Sequence, residues 1–224
     1  MKDSTTSKFN FINNLLNYIK IKYKFLLIFL ILVFLVFIGY QYHAYYKFNN
    51  ILQNSITYFN SKKIEPNEGY YEIIKELSKS KDFYAIISQL ELINLLFNEN
   101  KVTEANNLYL NLLNKKKLNN IYKSSIAAHA AYNNLNIMYE NMNSNLRSNI
   151  VDFIGYIDDN LQGYIGIKLE LKYLLAVSDQ DINDISSIND KKTNDLYELI
   201  QKSENVPSTI KERVKSIHEF QKYK

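Results

Sequence analysis

Apolar residues follow two patterns along the chain. Residues 25–38 are apolar without interruption, and the stretch free of formal charge runs from 25 to 46. After it, apolar and polar positions alternate with a period near 3.6, the signature of amphipathic helices. As a helix, the uncharged stretch spans about 33 Å at 1.5 Å per residue, close to the ~30 Å hydrocarbon core of a bilayer. Tyr40, Tyr42, Tyr45 and Tyr46 extend it, since tyrosine sits comfortably at headgroup depth; Tyr23 marks the opposite interface. A buried helix apolar all round needs protein on every side, which a small helical chain hardly supplies. A cleaved signal needs small residues at −3 and −1, and GYQYHAY at 39–45 offers no good A-x-A site. The pattern therefore predicts a retained transmembrane anchor.

Beyond the anchor, no Pro or Gly interrupts residues 40–60, so the helix is expected to continue outward to about residue 61. A break at 61–69 contains Pro66, and a short helix follows at 70–78. Ile86, Leu90, Ile93 and Phe97 then mark one face of a helix, residues 98–101 a turn, and Ala105, Tyr109 and Leu112 a second helix ending at Lys115-Lys116-Lys117. Further helices are predicted at 121–138, with the small residues Ala127, Ala128, Ala130 and Ala131, at 145–158 behind a Ser144 cap, and at 163–177. A polar loop at 178–191 precedes helices at 193–202 and, after Pro207 and a Ser208 cap, 208–222. The predicted fold class is all-α: a cytoplasmic basic tail (1–24), a transmembrane anchor (25–46) and an extracytoplasmic tetratricopeptide-like antiparallel helical-repeat domain (47–224).

Composition sharpens this picture. Five glycines and two prolines in 224 residues are too few for the turns of a sandwich, barrel or doubly wound sheet. None of the glycines forms a phosphate-cradling motif. The absence of cysteine excludes disulfides, thiolate metal sites and cysteine nucleophiles. None of the 30 asparagines begins an N-x-[ST] sequon, which leans away from a eukaryotic secretory protein. The tail carries Lys2, Lys8, Lys20, Lys22 and Lys24 against Asp3, so the positive-inside rule predicts a cytoplasmic N-terminus. The remainder holds 22 basic and 22 acidic residues, a neutral balance that argues against nucleic-acid binding. Tyr84, Tyr122 and Tyr164 fall outside the apolar stripes and suit either core completion or a protein interface.

The helix–turn–helix around residue 100 resembles a tetratricopeptide repeat. Asn100 stands where that motif closes its first helix with glycine, and asparagine is the next-best residue for a left-handed turn. Ala105 follows five residues later and Tyr109 four beyond. Leu92 and Leu96 fill first-helix positions, and Leu112 replaces the motif's second small residue. These six residues form the predicted repeat packing; no partner-binding residues are assigned. The overall order includes the lysine-bearing tail, single span, Phe83-Tyr84-Ala85, Asn100, Glu104-Ala105, the alanine stretch, and LYELI and VPSTIKER at 196–200 and 206–213. It resembles the YfgM-type family of bacterial inner-membrane proteins, ancillary subunits of the SecYEG translocon. The resemblance implies a non-enzymatic scaffold with a periplasmic helical-repeat surface, whose partners are the translocon and a membrane-anchored chaperone of prolyl-isomerase type. A structural subunit of another envelope or cell-division complex fits the same architecture.

The residues themselves offer little chemistry. His43, His129 and His218 lack second histidines at metal spacing. His43 is expected at the membrane interface, His129 in structural packing and His218 in solvent. Asp179, Asp181 and Asn183 open a calcium-loop pattern, but Asp184 and Asp190 replace the required Gly and Glu. Asp158-Asp159 reads as a helix end, and no G-x-S-x-G is present. No catalytic residue, metal, cofactor or small-molecule substrate is predicted.

Overall fold

The computed structural model describes residues 3–63, 68–116, 118–140, 144–182, 191–221 and 223. Among these, the chain is helical without strands. Its helices are α1 (Asp3–Ser61), α2 (Glu68–Leu77), α3 (Phe83–Asn98), α4 (Val102–Leu113), α5 (Asn120–Glu140), α6 (Arg147–Gly155), α7 (Gln162–Ile182), α8 (Lys191–Lys202) and α9 (Ser208–Gln221). A 3-10 turn, Ser144–Leu146, leads into α6.

α1 is a single helix of 59 residues, about 89 Å long at 1.5 Å per residue. It contains one candidate membrane span within Lys22–Ser61, whose apolar window is unburied. The tail residues from Asp3 onward belong to this helix rather than to a separate segment.

The α3–α4 hairpin is closed by local chemistry. Asp82 caps α3, its carboxylate accepting from the Tyr84 and Ala85 amides at 2.9 and 3.2 Å. At the other end, Asn100 adopts φ 60°, the one non-glycine positive φ among the described residues. The Lys101 amide donates to the Leu96 carbonyl and the Asn100 amide to Phe97, at 2.8 and 2.9 Å. These are the two bonds of a Schellman closure, and asparagine tolerates the left-handed position they require. The buried face of α3 is Ala85, Ser88, Leu92, Ile93 and Leu96. Within the predicted stripe Ile93 is fully buried, and Ile86, Leu90 and Phe97 are half-buried and packed against the same core. α3 packs against α1, α2 and α4 together, so its inner arc is wider than one stripe.

α5 lies at the centre, against α4, α6 and α7. Its alanines 127, 128, 130 and 131 are all buried, and their small size lets neighbours approach from several sides. α7 is the seam between two cores. Leu171 and Leu175 face the larger core of α2–α6, whereas Tyr173 and Val177 face a smaller one with α8 and α9. Gly166 permits the contact between α7 and the segment before α9. A Cβ there would lie 2.9 Å from Pro207 Cδ and 3.1 Å from Ile210 Cδ1.

Three boundaries differ from expectation. Leu146, not Ser144, stands at the N-cap of α6 and makes no side-chain bond there, because the 3-10 turn winds directly into the helix. α6 ends at Gly155 rather than 158, and the chain turns through Tyr156 and Ile157. α7 continues to Ile182, well into the predicted polar loop; residues 183–190 lie outside the described set.

Candidate functional site: polar couplings and exposed surfaces

The C-terminal end of α1 is fastened to the helical domain by polar contacts on one face. Asn54 donates to Asp82 Oδ2 at 2.7 Å, so the α3 cap is also an anchor point for α1. Tyr84 donates to Ser55 Oγ at 2.8 Å, and its ring meets Tyr58, Phe59 and Phe83. Lys62 lies 2.6 Å from Glu91 Oε1, which also accepts from the Tyr70 hydroxyl at 2.7 Å. Burial opposes the charges on Lys62 and Glu91, but their mutual bond and the Tyr70 hydroxyl outweigh it. The Lys62 pKa accordingly stands above the ordinary lysine value and that of Glu91 below the ordinary carboxylate value. Burial, then the bond to Glu91, pushes Tyr70 up to about 12.

The six predicted repeat residues occupy one hairpin. Leu92, Leu96, Ala105, Tyr109 and Leu112 are buried, and Asn100 forms the turn between them. Tyr109 reaches across to α5. Its hydroxyl is 2.6 Å from His129 Nδ1 and accepts from Asn133 Nδ2 at 2.9 Å. Burial holds the Tyr109 pKa well up and the His129 pKa down. A neutral imidazole accepting at Nδ1 satisfies all three groups. Asn106 and Asn134 exchange amide bonds at 2.8 Å in the same interface. His129 is thus part of helix packing, with its outer edge exposed.

Around α7 the structure assembles groups that sequence spacing does not connect. Glu170 has 1% of its side chain exposed and pairs with Arg213 of α9, whose Nε and Nη2 both donate to it. Tyr132 of α5 donates to the same carboxylate at 2.7 Å. The bond to Glu170 raises the Arg213 pKa; burial, then Glu170, raises that of Tyr132. His218 corrects its predicted solvated state. It is buried, stacked on Tyr197 at 4.0 Å and 10°, with Nδ1 3.3 Å from the Tyr173 hydroxyl. The physical reason is register: Ile210, Val214 and His218 share the face of α9 that meets α7 and α8.

An open groove of about 990 Å³ runs between α6, α7 and α8. Its apolar lining includes Val151 and Leu199, 45% and 51% exposed. Among the described residues, Arg147, Lys168, Lys172, Lys191, Lys192 and the acid Asp195 line it. Lys168 is committed to the Ile157 carbonyl and Asp159, each at 2.8 Å, and Arg147 to Asp179 at 2.9 Å. The groove thus joins apolar contact area to a cationic margin. A second, smaller groove of about 410 Å³ lies between α5, α7 and α9, beside Tyr139, Ile217 and Phe220.

The remaining candidates are placed as follows. Asp179 is a helix residue paired with Arg147; the calcium-loop positions from 183 onward lie outside the described residues. Among the described residues, no group of three His, Asp or Glu side chains is arranged to hold a metal. His43 is exposed on α1. Tyr122 is exposed, whereas Tyr84 and Tyr164 are half-buried in packing. Sequence reading missed the Asp82 cap, signalled by an Asp before Phe83, and the Glu170–Arg213 pair, which no local signal announces. In comparisons with family models, curated proteins and solved structures, the chain matches none.

Proposed function

We propose that the protein is a single-pass, membrane-anchored scaffold that works by binding other proteins rather than by catalysis. The observation that carries this reading is the continuity of α1, which runs from the exposed apolar stretch into a polar-fastened junction with the helical domain. A membrane anchor built this way holds the domain at a set distance from the bilayer rather than on a slack tether. Lysines before the span support a cytoplasmic N-terminus and an extracytoplasmic domain. The asparagine-closed α3–α4 hairpin supports a tetratricopeptide-like array. The resemblance to YfgM-type proteins supports a bacterial inner-membrane location and an accessory role at the SecYEG translocon, beside a membrane-anchored prolyl-isomerase-type chaperone. The groove between α6, α7 and α8 suits an acidic, partly apolar segment of such a partner, by charge complementarity with Lys172 and Lys191.

Photocrosslinking side chains placed at Val151 and Leu199 in the full chain, in intact membranes, test this reading. Capture of translocon or chaperone subunits at both positions is expected. Capture of cell-division proteins would replace the translocon assignment. Capture from Tyr122 but from neither groove position would move the binding surface elsewhere.

A further inference from the structure

The outer part of α1 carries a second face that the domain leaves exposed apart from one ring contact, Phe59 with Tyr84. Phe48, Leu52, Ile56 and Phe59 are 63%, 44%, 46% and 59% exposed. At about 100° per residue they fall within an arc of roughly 80°, and Tyr45 joins them. The domain holds a different face, through Asn54, Ser55 and Tyr58, roughly 110° around the helix. Residues 48–61 contain no charged side chain.

We propose that this stripe is the contact between two copies of the chain, packed as parallel helices about a two-fold axis along the membrane normal. The inference rests on the anchor reading. Copies inserted with the same orientation bring identical stripes to the same height, so each residue meets its own counterpart. Such self-contact would be repulsive with charge on the face, and none is present. The domain's offset around α1 directs the two domains away from the axis. Lipid does not cover the stripe's outer end, because residue 59 stands about 16 Å further along the helix than residue 48.

The area accounts for why the membrane matters. With roughly 150–250 Å² for a whole large side chain, the four exposed fractions give about 400 Å² per copy. Two copies bury about 800 Å², short of the roughly 1,200–2,000 Å² of a stable interface in solution. Confinement in one bilayer raises the effective concentration and makes good the difference.

The chain has no cysteine, so single cysteines report contacts without background. Full-length chains bearing Phe48→Cys, Leu52→Cys, Ile56→Cys, Asn50→Cys or Thr57→Cys would be oxidised in native membranes. The first three should give about tenfold more disulfide dimer than Asn50→Cys and Thr57→Cys, which face the other way, because a disulfide needs Cβ atoms roughly 3.5–4.5 Å apart. Adding Leu52→Lys and Ile56→Lys to Phe48→Cys should abolish the dimer, and both sites are exposed enough to spare the fold. Equal crosslinking at all positions, no dimer in a chain that resists carbonate washing, or crosslinks to a different protein would each overturn the dimer while leaving the anchor intact. Release of the chain by carbonate would overturn the anchor and, with it, the shared register on which the dimer depends.

Discussion

The two cores on either side of α7 are held by different forces. Among the described residues the α2–α6 core buries 24 apolar side chains, from Tyr70 on α2 to Leu175 on α7, and the polar contacts at its centre, between α4 and α5, are neutral amide, phenol and imidazole groups. Among the described residues the core of α7, α8 and α9 buries six, and around them stand the Glu170–Arg213 pair, the His218–Tyr197 stack and the close fit of Gly166 on Pro207. A large apolar core tolerates small polar errors, whereas a small one depends on each directional contact. α7 serves both, which is why its apolar positions fall on two faces.

Four perturbations would break or sharpen this contrast. The largest expected effect is Tyr109→Ala. It empties a fully buried site and should cost about 3–5 kcal/mol, read as a lower urea midpoint for the domain. Arg213→Ala leaves the Glu170 carboxylate buried with Tyr132 as its remaining partner. A loss of about 3 kcal/mol is expected, toward the lower end of the buried-pair range because Arg213 is half exposed. Hydrogen exchange should then accelerate in α8 and α9 more than in α3–α5; uniform acceleration would mean the two cores are one cooperative unit. Gly166→Ala should cost about 1–3 kcal/mol through the Pro207 contact, again first in α9. The smallest effect is a pH dependence from His129. Its folded pKa lies below the ordinary value, so the unfolded chain takes up protons first as pH falls through about 6.5. Stability should therefore be fully present above that pH and decline below it, down to the depressed folded pKa. The slope should shrink in His129→Gln; an unchanged slope would place the titration elsewhere.

The all-helical fold was legible because periodicity and the shortage of Gly and Pro report on local backbone. Asn100 and Ala105 were legible because helix closure and close approach have residue-specific requirements. Glu170 and Arg213 were not, since 43 residues separate them and each alone resembles a solvated charge. His218 carried a signal, the four-residue spacing from Ile210 and Val214, but its polarity masked it. The end of α7 was misplaced because residues 178–181 are polar yet continue the helix, with Asp179 secured by Arg147. The stripe on α1 shows the reverse difficulty. Its spacing is plain in the sequence, but only the docked domain reveals which face is left open.

The central claim is that α1 anchors this helical array in a membrane. Alkaline carbonate extraction of membranes from cells expressing the full chain tests it most directly. Retention in the pellet, with loss to the supernatant when Leu30, Val33 and Phe37 are all changed to Lys, is the result expected of a spanning helix. Release of the unaltered chain into the supernatant would show that the apolar stretch of α1 does not cross the bilayer, and would contradict the account.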